Sequence, residues 1–145
     1  MLSNTCKYGI RAMVYLAVHA SEGKKIGIKK ISDDLDIPTP FLGKILQMLT
    51  KKGFLSSLKG PHGGFGIGKD PNEISLYDVV LLIDGEGIFT GCLVGIRSCE
   101  ESGKPKCAIH DDYVPIRNDI KKLFQKRTIA YLASIYDADE GLVGL

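Results

Sequence analysis

The sequence predicts a mainly α fold with a small β wing: a winged helix-turn-helix domain plus a long C-terminal helix. Three observations predict it. Two short helical patterns lie close together, separated only by Asp36-Ile37-Pro38. A glycine- and lysine-rich hairpin pattern follows them directly. Near the C-terminus, Ile116, Ile120, Leu123, Phe124, Arg127, Ala130, Tyr131 and Ser134 recur at three- and four-residue spacing, the period of an amphipathic helix.

The first helix is predicted over 3–20. Ser3 or Asn4 can cap it, and Ile10, Met13, Val14 and Ala17 line one face. Cys6, one turn before Ile10, reads as a small buried hydrophobe. Ser21-Glu22-Gly23-Lys24-Lys25 is the loop leading out.

The next helix spans about 28–35, with Ile28, Ile31 and Leu35 on one face. Pro38 ends it by pushing the preceding residue out of the α region. Thr39 offers an N-cap oxygen, and Pro40 suits the first helical position, which needs no N–H. Phe41, Leu42, Ile45, Leu46 and Leu49 then form an apolar stripe. The opposite face carries Thr39, Gly43, Lys44, Gln47, Thr50 and Lys51. A helix buried on one side and offering hydroxyl, amide and ammonium groups on the other suits the major groove of double-stranded DNA.

Gly53 stops that helix as a C′ residue. Strands are predicted over 54–58 and 65–67. The turn between them, Lys59-Gly60-Pro61-His62-Gly63-Gly64, lets backbone approach another surface closely. The candidate DNA contacts are therefore Thr39, Pro40, Lys44, Gln47 and Lys51 on the helix, and Lys59, Gly60, His62, Gly63 and Gly64 on the wing. A solvated hairpin with incidental lysines is the ordinary alternative, weakened by the helix-turn-helix that precedes it. Charge points the same way. Residues 1–70 hold 11 Lys and Arg against 5 Asp and Glu, a net of +6, whereas residues 71–145 hold 8 against 12, a net of −4. One basic half is the pattern expected of phosphate neutralisation.

After the turn Asp70-Pro71-Asn72, Ser75 can cap a helix over 76–84 that buries Val79, Val80, Leu82 and Ile83. Residues 85–106 hold Gly85, Gly87, Gly91, Gly95 and Gly103 and no clear period. So long a loop is usually functional or disordered. Cys92, Cys99, Cys107 and His110 lie in and just beyond it. Thiolates and imidazole are ligands for iron–sulfur clusters and zinc. No closely paired cysteines of the zinc-finger kind occur, which argues against a zinc finger while leaving zinc, an iron–sulfur cluster and a metal-free thiol role open.

The last helix is predicted as one run from Asp111 to about Tyr136, with Asp111 and Asp112 at its positive end. It is too long to be covered by the small domain alone, so a second chain is expected to cover its exposed stripe. This makes it a dimerisation helix. A two-fold homodimer presents two reading helices to one DNA face and implies a near-palindromic operator. Folding back on its own domain is the alternative. The organisation expected is 1–84 for the winged helix-turn-helix, 85–110 for the Cys/His sensor loop, 111–137 for the dimerisation helix and 138–145 for a frayed tail.

No targeting segment is visible, and the longest aliphatic run, Val79 to Ile83, is far too short to span a bilayer. A cytoplasmic protein with no membrane partner is expected. An enzyme is not, because the sequence shows no nucleotide-binding loop, nucleophile elbow or carboxylate pair placed for acid–base work.

Four stretches carry a resemblance: Tyr8-x-Ile10-Arg11-Ala12, residues 31–35, Gly53-Phe54-Leu55 and above all Lys59-Gly60-Pro61-x-Gly63-Gly64-Phe65. Together they resemble the Rrf-two (Rrf2) family of bacterial winged-helix transcription regulators over roughly residues 2–135. That family includes an iron–sulfur cluster regulator, a nitric-oxide-sensing repressor and a cysteine-metabolism repressor. The resemblance implies a homodimer, often with a cysteine-ligated cluster. The ending Cys107-x-x-His110 resembles the iron–sulfur cluster regulator, where three cysteines and one histidine hold a two-iron, two-sulfur cluster. The earlier cysteine intervals are longer here. Lys7 stands where some members carry a ligand carboxylate, and Gly43 where that regulator carries a glutamate. The function expected is a dimeric DNA-binding regulator, a repressor, sensing iron–sulfur or redox status through the Cys/His loop. The alternative is a cofactor-free winged-helix repressor responding to thiol oxidation or to a protein partner.

Overall fold

Helix α1 (Asn4–His19) is the central element of the computed structural model, which describes residues 1–20, 23–99 and 105–138. It buries not one stripe but Cys6, Ile10, Ala12, Met13, Val14, Tyr15 and Leu16. A helix apolar on most sides needs neighbours on most sides. They are α2 (Ile28–Leu35), α3 (Thr39–Lys51), α4 (Leu76–Ile83) and the C-terminal α7 (Ile129–Ala138). At Gly9, α1 lies so close to α4 that an added Cβ would stand 2.5 Å from Ile83 Cδ1. Ser3 caps α1 by accepting from the Cys6 N–H. Its own N–H donates to the Asp84 carboxylate at 2.8 Å, tying the N-terminus to the end of α4.

Asp36 ends α2 in the left-handed region (φ 53°). The predicted cap of α3 is displaced by one residue. Pro38 occupies the N-cap position with no side-chain bond, and Thr39 is already helical. The Thr39 hydroxyl instead donates to Ser32 Oγ (3.0 Å), which donates to the Ile37 carbonyl (2.6 Å). This relay, exposed at Thr39 and buried at Ser32, holds the turn between α2 and α3. Gly53 (φ 88°) closes α3 as predicted. Its N–H reaches the Thr50 carbonyl and that of Phe54 reaches Leu49, the paired bonds of a Schellman cap.

Strands β1 (Leu55–Leu58) and β2 (Gly64–Ile67) pair antiparallel, Leu55 opposite Ile67. Ile26 adds a further rung by exchanging both backbone bonds with Phe65, at 2.9 and 2.8 Å. The wing is thereby fixed to the entry of α2. Ser75 and Asp78 form a reciprocal capping box at the start of α4.

Two further features depart from the sequence reading. The stretch expected to be loop contains a helical turn, α5 (Gly87–Thr90), whose Phe89 is buried between Tyr77 and Phe124 at ring separations of 4.7 and 5.7 Å. The single helix expected over 111–137 is two: α6 (His110–Lys126) and α7. The break has a long-range cause. The Leu76 N–H donates to the Arg127 carbonyl (2.8 Å) and the Ile129 N–H to the Ile74 carbonyl (2.9 Å), pinning Thr128 beside Ser75. Thr128 then accepts from the Tyr131 N–H and starts α7. Helix α7 returns to α1, burying Ile129 fully and packing Leu132, Ala133 and Tyr136 on the core. The folding-back alternative therefore describes α7. The tail beyond residue 138 lies outside the described residues, as do Ser21, Glu22 and residues 100–104 of the expected sensor loop. No helix among the described residues is long and apolar enough to cross a membrane.

Candidate functional site

The core side of α3 is complete: Leu42, Ile45, Leu46 and Leu49 are buried. Its opposite face presents Thr39, Pro40, Lys44, Gln47 and Lys51 to solvent. The wing stands across a groove from that face. Gln47 and Lys51 line it from α3, Lys59, Gly60, Gly63 and Gly64 from the wing, and Gly27 and Ile28 also border it. His62 is exposed on the turn but does not line this groove. Lys44 lies on a second, more apolar groove with Tyr8, Phe41 and Met48.

Two expectations change. Phe41 is 63% exposed and so is not part of the core stripe. Gly63 and Gly64 have a reason internal to the fold. An added Cβ would stand 2.1 Å from the Leu58 carbonyl oxygen at Gly63 and 2.3 Å from that of Ile26 at Gly64. The glycine pair thus lets the wing close on its own backbone.

The groove makes one measurement decisive for the wing. Lys59→Ala is expected to weaken operator binding and to lower the slope of log affinity against log salt by about 0.9 for each phosphate no longer neutralised. Titrations at several salt concentrations read the slope; unchanged affinity and slope would remove the wing from the interface.

The second site is a sulfur cluster. Cys92, Cys99 and Cys107 come together with all three Sγ atoms within 4.8 Å of one another. Cys92 Sγ lies 3.6 Å from that of Cys107 and 3.8 Å from that of Cys99. Two backbone N–H groups, of Val94 and Gly95, point at Cys92 Sγ, the latter at 3.2 Å. A Cβ at Gly95 would itself stand 3.2 Å from that sulfur, so glycine admits the amide. These donors, with the neighbouring thiol of Cys107, lower the Cys92 thiol to about 7. Cys107 is raised, first through its bond to Cys92 and then by burial. His110 opens α6, its N–H on the Cys107 carbonyl at 3.0 Å, and its ring stands outside the sulfur group. Cys6 is remote in character: burial, and then the Asp84 carboxylate, push its thiol to about 12. It remains a core residue.

The sequence reading missed Arg117. It lies on α6, is only 6% exposed, and its Nη1 donates to the carbonyls of Thr90 (2.8 Å) and Gly91 (3.0 Å). Those carbonyls end α5 immediately before Cys92. A buried guanidinium is costly unless it is bonded, so this contact fixes the cysteine loop to α6. Nothing in the sequence marks it, since a lone arginine in an amphipathic helix reads as solvent-facing.

Comparison with known proteins gives a consistent picture. Residues 2–135 match the family model Rrf2, described as iron-dependent transcriptional regulator. An HTH-type transcriptional regulator of Aquifex aeolicus is 30% identical over 135 residues, covering 93% of this chain and 92% of the relative. The HTH-type transcriptional regulator IscR of Serratia proteamaculans is 29% identical over 136 residues, 94% of this chain and 80% of the relative. Among solved structures, CymR, the global cysteine regulator of B. subtilis, superposes with a TM-score of 0.76 at 22% identity, covering 93% of this chain and 97% of that one. At that identity the superposition speaks for the fold, a mainly helical winged helix with a two-stranded sheet.

Proposed function

This chain belongs to the Rrf2 family of transcriptional regulators, and on that premise we propose that it is a homodimeric repressor whose DNA affinity follows the state of a metal centre in its cysteine loop. Members of the family are DNA-binding regulators and not enzymes. The observation that carries the reading is the convergence of Cys92, Cys99 and Cys107 within 4.8 Å.

The donor set fits a thiolate-bound metal. Three thiols gathered within 4.8 Å of one another could together hold a thiophilic metal or cluster as thiolates. We assign the group as an iron–sulfur cluster of the two-iron, two-sulfur type, with His110 as fourth ligand; zinc is the competing occupant. The family's description as iron-dependent favours iron. When bound, the cluster supplies a redox-active, oxidation-labile crosslink among its ligands.

The remaining logic belongs to the protein. Cys92 follows α5, Cys107 precedes α6, and Arg117 already clamps the end of α5 to α6. Holding both cysteines to one centre sets where α6 begins, and α6 carries the exposed Ile116 and Leu123 that we assign to the dimer seam. Spacing between the two reading heads then depends on the loop. Such a switch works only if the ligand binds one arrangement better than the other.

A second reading rests on the same 3.6 Å contact between Cys92 and Cys107. Closing it to a disulfide of about 2.05 Å needs only a small displacement. The two thiols would give two electrons and two protons to hydrogen peroxide, which leaves as two waters. Anaerobic purification with iron, sulfide and absorbance measurements separates the readings. The cluster reading expects roughly two irons and two sulfides per chain and a DNA affinity that changes when they are stripped. Stoichiometric zinc without iron overturns it. Colourless metal-free protein whose DNA binding responds to peroxide establishes the second.

A further inference from the structure

We infer that Phe41 reads a thymine methyl group in the major groove, as a specificity-determining residue of α3. The inference rests on the DNA-binding reading and deepens it. Phe41 lies in the first turn of α3, and residues at the N-terminal end of a recognition helix are those that reach base edges. It is 63% exposed, while the core side of the same helix is filled without it by Leu42, Ile45, Leu46 and Leu49. The fold therefore does not require an aromatic ring there. Its neighbours on the helix surface are Lys44, one turn on, and Met48, 37% exposed, two turns on. An ammonium beside two apolar groups is a mixed surface.

The chemistry of the groove selects the target. The thymine C5-methyl is the apolar feature that a base pair presents in the major groove, and aromatic or small apolar side chains contact it. The opposite wall of the Phe41 groove is the first turns of α1, with Asn4, Thr5 and Tyr8. Amide and hydroxyl groups bounding an apolar strip suit a sugar–phosphate edge beside a methyl. A protein partner would need a larger continuous apolar patch. The strip is also continuous with the polar face of α3 through Lys44, which faces solvent on that same surface.

The test uses the full-length protein and duplexes recovered from a random pool by their affinity for it. Each thymine in a recovered duplex is replaced in turn by uracil, which removes the methyl and keeps the base pair. One position per half-site is expected to lose about four-fold in affinity, and about fifteen-fold when both half-sites are changed, from the loss of one buried methyl each. Phe41→Ala should bind the thymine duplex more weakly by at least that factor and no longer distinguish thymine from uracil. Phe41→Leu should keep part of the discrimination. Because the ring is exposed, the thermal midpoint of Phe41→Ala should match the parent, which separates loss of reading from loss of fold. Wild-type protein indifferent to every methyl overturns the inference. So does a Phe41→Ala variant with full affinity, or one as methyl-sensitive as the parent; the groove would then belong to another partner. Wild-type protein that recovers no duplex overturns the DNA-binding reading as well, so the two failures are distinct.

Discussion

Replacing Cys92, Cys99 or Cys107 singly by Ala is expected to abolish the visible chromophore of anaerobically prepared protein and to take bound iron from roughly two per chain to near zero. Each sulfur sits within 4.8 Å of the other two, so removing any one of them takes a donor out of the same group. His110→Ala is expected to behave differently. Its ring lies outside the sulfur group, and water can take the position of a neutral ligand, so a weakened cluster should remain. Cys6→Ala should leave the spectrum intact, because Cys6 is fully buried under Ser3 and Asp84 with its thiol held near 12. Bleaching by Cys6→Ala together with an intact spectrum in His110→Ala would mean four thiolate ligands and a different path for the loop.

The second large effect concerns assembly. The double change Ile116→Glu and Leu123→Glu is expected to convert a dimer to monomers, weakening association by at least about a thousand-fold. The two side chains are seven residues apart, on one face of α6, and are 58% and 50% exposed. Each carboxylate placed in an apolar seam loses its hydration without a partner, and two-fold symmetry doubles the number. Ile120 and Phe124, which periodicity groups with them, are poor choices. Both pack on the core of their own chain, Phe124 edge-on to Phe89. Changing them would damage the fold and confuse the readout. Sedimentation of wild-type protein as a monomer would end the dimer proposal. A variant that stays dimeric would move the seam elsewhere.

Much of the winged domain was legible because its signals are local. Pro38 breaks the chain between two helices, Gly53 supplies a left-handed residue after α3, and Ser75 with Asp78 builds a capping box within four residues. The break at Arg127–Thr128 was not legible. Apolar periodicity continues through it, and the cause is a pair of backbone bonds to residues some fifty positions earlier. Helix α5 is a single turn, shorter than any periodicity can register, and Phe89 is buried by tertiary contacts alone. Phe41 fitted the three-and-four rule yet points outward. The rule resolves a face to about a third of a turn, and Phe41 sits at the margin of the stripe. The gathering of Cys92, Cys99 and Cys107 was legible as a group because thiols are scarce in this chain. The N–H groups on Cys92, the outlying position of His110 and the clamp by Arg117 depend on the path of the loop, which spacing does not encode.

The return of α7 to α1 has a consequence for how the protein is made. Tyr136 meets His19 across 117 positions of sequence, with Nε2 and the phenol oxygen 3.4 Å apart, and Ile129 is fully enclosed. Contacts of that separation form late, since the ring of chain they close must be complete first. During translation the wing and α3 emerge while one side of α1 still lacks its cover. The apolar side chains there stay wet until α7 has been translated and has cleared the ribosome. A nascent chain therefore carries α3 and the wing long before it has the seat that steadies them. Premature termination anywhere upstream of α7 would release a sticky fragment, open to chaperones and proteases, in place of a folded winged-helix domain.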